Sequence, residues 1–181
     1  FESFIIFALG TVMNDLAKLM GKEYDDKGEI SSRGKVNTTL INKLNALPYY
    51  SQKHPKSLGK EWVDFFFIPV LNSFDISIED KLRTISEHIA VQIAAAIKSK
   101  SRNRKSKILI SGGGVYNDFL VQLISEKTNF KIIIPDKKTI EFKEAMIFAF
   151  LGVLKMRNEI NTLRSVTGAK EDSSGGVINW I

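Results

Sequence analysis

A short apolar run that ends at three consecutive glycines constrains this fold more than any other feature of the chain. Residues 108–120 read Ile-Leu-Ile-Ser-Gly-Gly-Gly-Val-Tyr-Asn-Asp-Phe-Leu. The pattern predicts a strand, a turn without side chains at Gly112, Gly113 and Gly114, and a helix that begins close to the sheet edge. In α/β domains such a turn is a common site of nucleotide binding. The alternative is a tight turn that only joins strand to helix, for which two glycines would usually suffice.

Size and composition limit the class of protein. The 181 residues, 44% of them hydrophobic, are enough for one sizeable core or one lobe of a larger enzyme. No apolar run approaches the roughly 20 residues of a membrane span, and we expect none. The chain has no cysteine, and His54 and His88 are far apart, so a structural zinc is not expected. Because it opens on Phe1 without a leader pattern, we interpret the start as the cut end of something longer.

The net charge is +6, and much of the excess lies in one run from Lys98 to Lys107. Such a run could bind a phosphate backbone, but it contains no interleaved aromatic residues. We favour a solvated connection between a helix and a strand, and expect no nucleic-acid partner.

The first half of the chain predicts short elements separated by turn residues. Gly21 ends a helix, Pro48 limits another, Ser57 can cap a third, and Pro69 ends or bends that third helix. The predicted elements are a strand at Glu2–Phe7, helices at Val12–Met20 and Asn37–Ala46, a loop at Tyr49–Pro55, and a helix from Ser57 through Phe65.

The second half contains the clearest helix, Ser77–Lys98, where Ser77 and Asp80 resemble a capping box. We expect this helix to pack across a sheet. Strands at Ile108–Ile110 and Ile132–Ile134, separated by a helix at Asn117–Glu126, predict a parallel βαβ unit buried on both faces.

The last part of the chain predicts one more helix and a loop. The helix at Thr139–Leu154 is apolar nearly all round and should be central to the domain or to an interface. The tail from Ser165 to Ile181 predicts a glycine-punctuated loop that closes with a strand at Val177–Trp180.

Four segments together resemble the anhydro-N-acetylmuramic acid kinase family. They occur in the family's order over nearly the whole chain, and four in one sequence are specific where one would be weak. The segments are Pro-Lys-Ser-Leu-Gly-Lys-Glu at 55–61, Ser-Gly-Gly-Gly-Val-Tyr-Asn at 111–117, Glu-Phe-Lys-Glu-Ala-Met-Ile-Phe-Ala-Phe at 141–150, and Ser-Val-Thr-Gly-Ala at 165–169. Tyr24-Asp25 and Gly-Lys-Val-Asn at 34–37 also fit the family.

The resemblance implies a fold class and a reaction. It places residues 1–181 as the carboxy-terminal ATP-binding lobe of a two-lobe sugar kinase, an α/β, ribonuclease-H-like lobe of the actin, hexokinase and Hsp70 superfamily, helix-rich with a mixed sheet. The implied reaction needs ATP and Mg²⁺: water opens the 1,6-anhydro ring of a recycled cell-wall amino sugar while O6 accepts the γ-phosphoryl group. The implied location is the cytoplasm of a bacterium.

The resemblance also implies roles for individual residues. Gly112, Gly113, Gly114 and Asn117 match the adenosine-side loop, and Asn117 would also cap the following helix. Glu144 matches a glutamate near the sugar, although a salt bridge with a lysine is the alternative. Lys56, with Ser57 and Glu61, would help to shape the cleft. Thr167 and Gly168, with Gly175-Gly176, are candidates for nucleotide contact, and turn chemistry alone explains them equally well.

Two departures from the family pattern matter. Members usually carry an aspartate at the position of Ile5, and a Gly-Pro-x-Asn turn where this chain has Phe-Ala-Leu-Gly, ending at Gly10. The family's phosphate loop and catalytic aspartate would lie upstream of Phe1, so no catalytic residue is expected in this chain. Alone it should be inactive, should need an amino-terminal lobe as partner, and should tend to self-associate, for example as a homodimer.

Two rival functions stay open. One is a degenerate actin-like module that binds nucleotide or a partner without catalysis, which Ile5 and Gly10 favour. The other is a kinase of the same superfamily with a different acceptor, which the segment at 55–61 disfavours.

Overall fold

The structure, a computed structural model, describes residues 4–52, 58–100 and 107–179. They divide into a larger unit, within residues 4–134, and a smaller unit, within residues 135–179. Helices dominate both, and the larger unit contains a small parallel sheet. The predicted helix-rich α/β class is therefore confirmed, and the sheet in the described residues consists of two parallel strands. Among the described helices, none combines the length and the apolarity that a membrane crossing requires.

The first helix stands where the sequence predicted a strand. Helix α1 spans Phe4–Lys18, so the strand predicted at Glu2–Phe7 is wrong over residues 4–7. A short apolar run fits a strand or a buried helix equally well from periodicity alone. The apolar residues that follow have helical spacing, so a helix places them on one face in the core. They are Leu9, Val12, Met13 and Leu16.

Two short helices follow. The turn Asp26–Gly28 leads into α2, Glu29–Arg33, and α3 spans Thr38–Asn45. Asn37 caps α3, since its Oδ1 accepts a hydrogen bond of 2.9 Å from the backbone N–H of Leu40. The helix predicted in this stretch is confirmed.

The loop predicted at Tyr49–Pro55 is wrong at its start, where α4 spans Pro48–Ser51. Proline is favoured at the first position of a helix, because that position makes no intrahelical N–H bond, and here it begins a turn of helix. Residues 53–57, which include the predicted cap Ser57, lie outside the described residues.

The third predicted helix is present and is interrupted once. Helix α5, Lys60–Trp62, passes through a π-helical turn at Val63–Phe67 into α6, Ile68–Asn72. Pro69 offers no N–H and its ring crowds the preceding turn, so the widened turn before it accommodates the proline without ending the helix.

The long helix α7 spans Ile78–Lys100 and forms the centre of the larger unit. Its predicted cap is confirmed in one half: the Oγ of Ser77 accepts from the N–H of Asp80 at 3.1 Å. The reciprocal half is replaced, because the Oδ1 of Asp80 accepts instead from the N–H of Lys35 at 2.6 Å. The side chain that would close the cap thus anchors a neighbouring loop.

Helix α7 packs mainly on other helices. Leu82, Ile85 and Ile89 are fully buried, and the principal partners of α7 are α1, α2, α3 and a later helix, α8, Asp118–Thr128. The expectation that α7 packs across a sheet is therefore wrong. The sheet in the described residues is too small to cover a helix of this length.

The predicted βαβ unit is confirmed. Strand β1, Lys107–Leu109, pairs in parallel with β2, Lys131–Ile133, and α8 lies between them in sequence. Burial on both faces is wrong, because Leu109 is 67% exposed and Ile134 is 44% exposed. With two strands in the described part, few neighbours are present to cover the outer positions.

The smaller unit begins with α9, Lys137–Met156, which confirms the predicted helix. Its predicted central position is wrong, since within this helix only Ile140 is buried, and Phe148 and Phe150 are 71% and 62% exposed. A helix that is apolar on all sides is expected to be buried, but the sequence pattern does not identify the surface that covers it. The interface position stays a prediction.

The tail contains a short helix, α10, Arg164–Thr167, and one antiparallel bridge between Thr162 and Ser173. The predicted closing strand is wrong at residues 177–179, which form no strand, and Val177 is 85% exposed. A strand needs a pairing partner, and apolar alternation alone does not supply one. Trp180 and Ile181 lie outside the described residues.

Candidate functional site

The glycine elbow, residues 111–117, connects β1 to α8. Gly112 has φ +101°, a conformation that L-side chains rarely adopt, and the turn Gly113–Tyr116 is a 3-10 helix. Helix α8 begins at Asp118, one residue after the predicted start at Asn117. Asn117 caps α8 as predicted, with its Oδ1 accepting from the N–H of Leu120 at 2.9 Å.

The elbow is open to a ligand on one side. Gly113 is exposed, and a Cβ built on it would meet no atom within 4 Å. At the start of the elbow, the Oγ of Ser111 is buried and has no hydrogen-bond partner among the described residues. A buried hydroxyl normally finds a partner, so this oxygen is a ready donor or acceptor for a bound group.

A second turn, residues 25–31, lies against the elbow. Gly28 has φ +78°, and a Cβ built there would lie 2.5 Å from the Cβ of Phe119 and 3.2 Å from the Cγ of Asn117. No side chain fits such a gap, so the backbone of the turn is in close contact with the first turn of α8. The Tyr24-Asp25 segment fits the family pattern, but it does not predict this contact.

One buried carboxylate holds this second turn. Asp25 is 5% exposed. Its Oδ1 accepts from the N–H of Ile30 at 2.7 Å, and its Oδ2 accepts from the N–H and the hydroxyl of Ser31 at 3.1 and 2.6 Å. Three hydrogen bonds to one side chain are a strong local restraint.

The predicted sugar-binding residue Glu144 lies on α9 and is exposed. Among the described residues it has no ion pair and no hydrogen bond, so the alternative of a structural salt bridge is not seen there. In the smaller unit the side chain of Glu144 is exposed to solvent, so it does not need a protein partner to offset burial.

Thr167 and Gly168 form the end of α10. The hydroxyl of Thr167 donates to the carbonyl of Leu163 at 3.1 Å and accepts from the N–H of Ala169 at 3.2 Å. Gly168 has φ +74°, the usual conformation after a helix end. Turn chemistry accounts for both residues as they stand.

The loop around Gly175 is held by Asn161. The Oδ1 of Asn161 accepts from the N–H of Gly175 at 2.7 Å, and its Nδ2 donates to the carbonyl of Gly175 at 3.2 Å. Sequence reasoning did not single out Asn161, because its partner lies 14 residues away.

The predicted site residues thus fall into two groups. Gly112, Gly113, Gly114 and Asn117 lie together at the elbow in the larger unit, whereas Glu144, Thr167 and Gly168 belong to the smaller unit. Lys56 lies outside the described residues, as do residues 101–106 of the basic run.

His88 is fully buried on α7, and each of its ring nitrogens has a neutral polar partner. Its Nδ1 lies 2.7 Å from the Oδ1 of Asn45, and its Nε2 lies 2.7 Å from the hydroxyl of Tyr50. Burial lowers the pKa of His88 to about 3, and burial also raises the pKa of Tyr50 well above its ordinary value. The ring is therefore a neutral structural group. No cluster of three or more potential metal ligands occurs in the part of the chain that the structure describes.

A family model described as anhydro-N-acetylmuramic acid kinase matches residues 10–180 of this chain. The chain belongs to that family. The proteins that resemble it include anhydro-N-acetylmuramic acid kinases of Vibrio parahaemolyticus, 30% identical over 162 residues, and Francisella tularensis subsp. novicida, 30% identical over 168 residues. A third, from Actinobacillus pleuropneumoniae, is 32% identical over 162 residues.

The chain spans less than half the length of these anhydro-N-acetylmuramic acid kinases. The matches cover 87%, 90% and 87% of this chain, respectively, and 44% of each relative. More than half of each relative therefore has no counterpart in this chain.

This chain also resembles a solved structure. That structure is the activator of the 2-hydroxyisocaproyl-CoA dehydratase from Clostridium difficile with bound ADPNP. The likeness covers 84% of this chain and 51% of that chain, with a TM-score of 0.44 and 19% identity. A likeness this loose carries no argument about the site.

Proposed function

We propose that this chain is the carboxy-terminal, ATP-binding lobe of an anhydro-N-acetylmuramic acid kinase. One observation carries the proposal: in a member of this kinase family, the elbow contains both an open Gly113 and the unpartnered hydroxyl of Ser111. The family resemblance supports a ribonuclease-H-like lobe of the actin, hexokinase and Hsp70 superfamily.

The residues at the elbow fit a nucleotide. Backbone N–H groups at Gly112, Gly113 and Gly114 would lie against its ribose and phosphates, and Ser111 would supply one hydroxyl contact. Asn117 would keep the following helix in register with the ligand. Bound Mg²⁺ would neutralise phosphate charge and would be held largely through the phosphates and water, as is usual for this ion.

The proposed reaction joins two steps on one amino sugar. Water adds to C1 as the C1–O6 bond of the 1,6-anhydro ring breaks, and the freed O6 takes the γ-phosphoryl group, giving ADP and N-acetylmuramic acid 6-phosphate. Glu144 and Lys56 would bind the sugar, and Thr167 and Gly168 would approach the nucleotide. The exposed carboxylate of Glu144 is available for such a role.

Activity needs more than this chain. The residues that would activate the acceptor are proposed to belong to an amino-terminal lobe, and relatives more than twice the matched length support such a partner. The chain alone is expected to be inactive and to self-associate, and we place the complete enzyme in the cytoplasm, where ATP is available.

A degenerate, non-enzymatic module is the second candidate. Family members carry an aspartate and a tight turn where this chain has Ile5 and Gly10, and residues 4–10 here are the start of helix α1. An uninterrupted helix leaves no turn at that position, which supports a member that has lost part of its cleft.

The test is an assay of the complete polypeptide that carries this chain. With Mg-ATP and 1,6-anhydro-N-acetylmuramic acid, mass spectrometry should detect the 6-phosphate of the opened sugar. Binding of ATP by calorimetry without any phosphorylated product would favour the degenerate module, and turnover of another sugar would favour a different acceptor. No heat with Mg-ATP would overturn the assignment.

A further inference from the structure

The turn that lies against the elbow contains two successive residues in a left-handed conformation. Lys27 has φ +52° and Gly28 has φ +78°. A left-handed lysine is disfavoured because its Cβ crowds the backbone, so the surrounding structure must hold it there. The Asp25 carboxylate closes the turn by accepting three hydrogen bonds from Ile30 and Ser31, which follow these two residues after Glu29. Asp25 therefore maintains a backbone shape that the sequence would not adopt unaided.

The shape of this turn is transmitted to the elbow by direct contact. A Cβ on Gly28 would lie 2.5 Å from the Cβ of Phe119 and would also clash with the side chain of Asn117, so the Gly28 backbone packs against these two side chains with no room for a substituent. Asn117 is also the cap whose Oδ1 fixes the first turn of α8. If the Gly28 turn relaxes, the side chain that caps α8 loses one wall of its site, and the elbow before it is no longer fixed.

We propose that Asp25 is a positioning residue for nucleotide binding, acting through Gly28 on Asn117 and the glycine elbow. This inference rests on the proposed function of the elbow as the ATP site. Asp25 itself is buried within its turn and is not proposed to touch ATP.

The test is steady-state kinetics of the complete enzyme with Asp25→Asn. The amide keeps the size of the side chain but cannot accept all three hydrogen bonds. The KM for ATP should rise by about fivefold to tenfold, whereas the KM for the sugar and the kcat at saturating ATP should change little, because only the geometry of the nucleotide site is disturbed.

Two further variants make the result specific. Thr84→Val is the matched control, since Thr84 is also buried and its Oγ1 accepts from the N–H of Asn37 at 3.0 Å, on the loop before α3. It should lower stability without changing the KM for ATP. Ser31→Ala removes one of the three hydrogen bonds, and it replaces Asp25→Asn under the same criterion if that variant does not fold.

The outcomes separate the two proposals. A raised KM for ATP in Asp25→Asn, with Thr84→Val unchanged, supports positioning by the turn. An unchanged KM in Asp25→Asn together with a raised KM in Asn117→Ala overturns the role of Asp25 and leaves the elbow as the ATP site. If Asn117→Ala also leaves the KM for ATP unchanged, both proposals fail.

Discussion

The hydroxyl of Tyr50 lies 2.7 Å from Nε2 of His88, and the two aromatic rings meet edge to face with centroids 4.9 Å apart. On the other side of the imidazole, Nδ1 donates to the Oδ1 of Asn45, which also accepts from the Nε2 of Gln92 at 2.8 Å. The Oδ1 of Asn45 can only accept hydrogen bonds, so Nδ1 carries the ring proton. Nε2 therefore accepts from the hydroxyl of Tyr50. The network is complete only while the ring is neutral.

Stability should therefore fall in acid as His88 becomes protonated. Burial lowers its pKa from 6.5 to about 3, so below pH 6.5 the unfolded chain binds a proton that the folded chain excludes. The free energy of unfolding should rise with pH between these two values, by up to about 1.4 kcal/mol per pH unit, and the slope due to His88 should fade as the pH rises above 6.5. Urea unfolding at a series of pH values from about 4.5 to about 7.5 measures the slope.

His88→Gln is the comparison that isolates this contribution. The variant cannot titrate, so it should be less stable at pH 7 and should show a shallower dependence on pH below 6.5 than the natural chain. Equal slopes in the two proteins would mean that other groups account for the acid sensitivity and that the buried imidazole does not.

Two asparagine caps with the same geometry allow a second prediction. Asn37 and Asn117 each accept from the backbone N–H three residues on, at 2.9 Å. Asn37→Ala and Asn117→Ala should each cost about 1 kcal/mol of stability. Only Asn117→Ala should also weaken ATP binding, because only α8 follows the elbow. Denaturant unfolding and calorimetry with Mg-ATP measure the two effects, and equal losses of affinity would remove the special status of Asn117.

Alanine substitutions at two glycines should distinguish a loss of nucleotide binding from a loss of packing. Gly113 is exposed and has open space at its Cβ position, so Gly113→Ala should change stability by less than about 0.5 kcal/mol while its methyl group obstructs a nucleotide at the elbow. At Gly34, a Cβ would meet the carbonyl of Glu79 and the Cβ of Arg83. Gly34→Ala should therefore lower the unfolding midpoint and leave the ATP affinity of the folded molecules unchanged.

Each of the two glycine predictions has an outcome that would contradict it. If Gly113→Ala binds Mg-ATP in calorimetry with the natural affinity, the open face of the elbow is not where the nucleotide lies. If Gly34→Ala is as stable as the natural chain, then α7 and the loop before α3 are not in close contact.

The features that the sequence predicted correctly depend on neighbours along the chain. The caps at Ser77 and Asn117 and the parallel strands around α8 follow from residue type and short spacing. The strand at Glu2–Phe7 failed because an apolar run has no periodicity of its own, and the residues that decide for a helix come after it.

The sequence did not predict the turn at residues 25–31 as part of the candidate site, because its contacts join residues that are far apart in the chain. Asn117 and Phe119, about 90 residues further along the chain, occupy the space that a side chain at Gly28 would need. The role of Asp25 in holding that turn depends on a left-handed backbone at Lys27, a conformation that residue type does not predict for lysine.

The loop at Gly175 gives the last prediction. Asn161 bonds both backbone groups of Gly175, and Thr162 and Ser173 form the bridge beside it. Asn161→Ala should release the loop, so amide hydrogen exchange at residues 172–176 should become faster while exchange in α8 stays as it was. Asn161→Asp is the graded variant, because its carboxylate still accepts from the N–H of Gly175 but cannot donate to its carbonyl. Its exchange should be intermediate, and exchange as slow in Asn161→Ala as in the natural chain would mean that the bridge alone holds the loop.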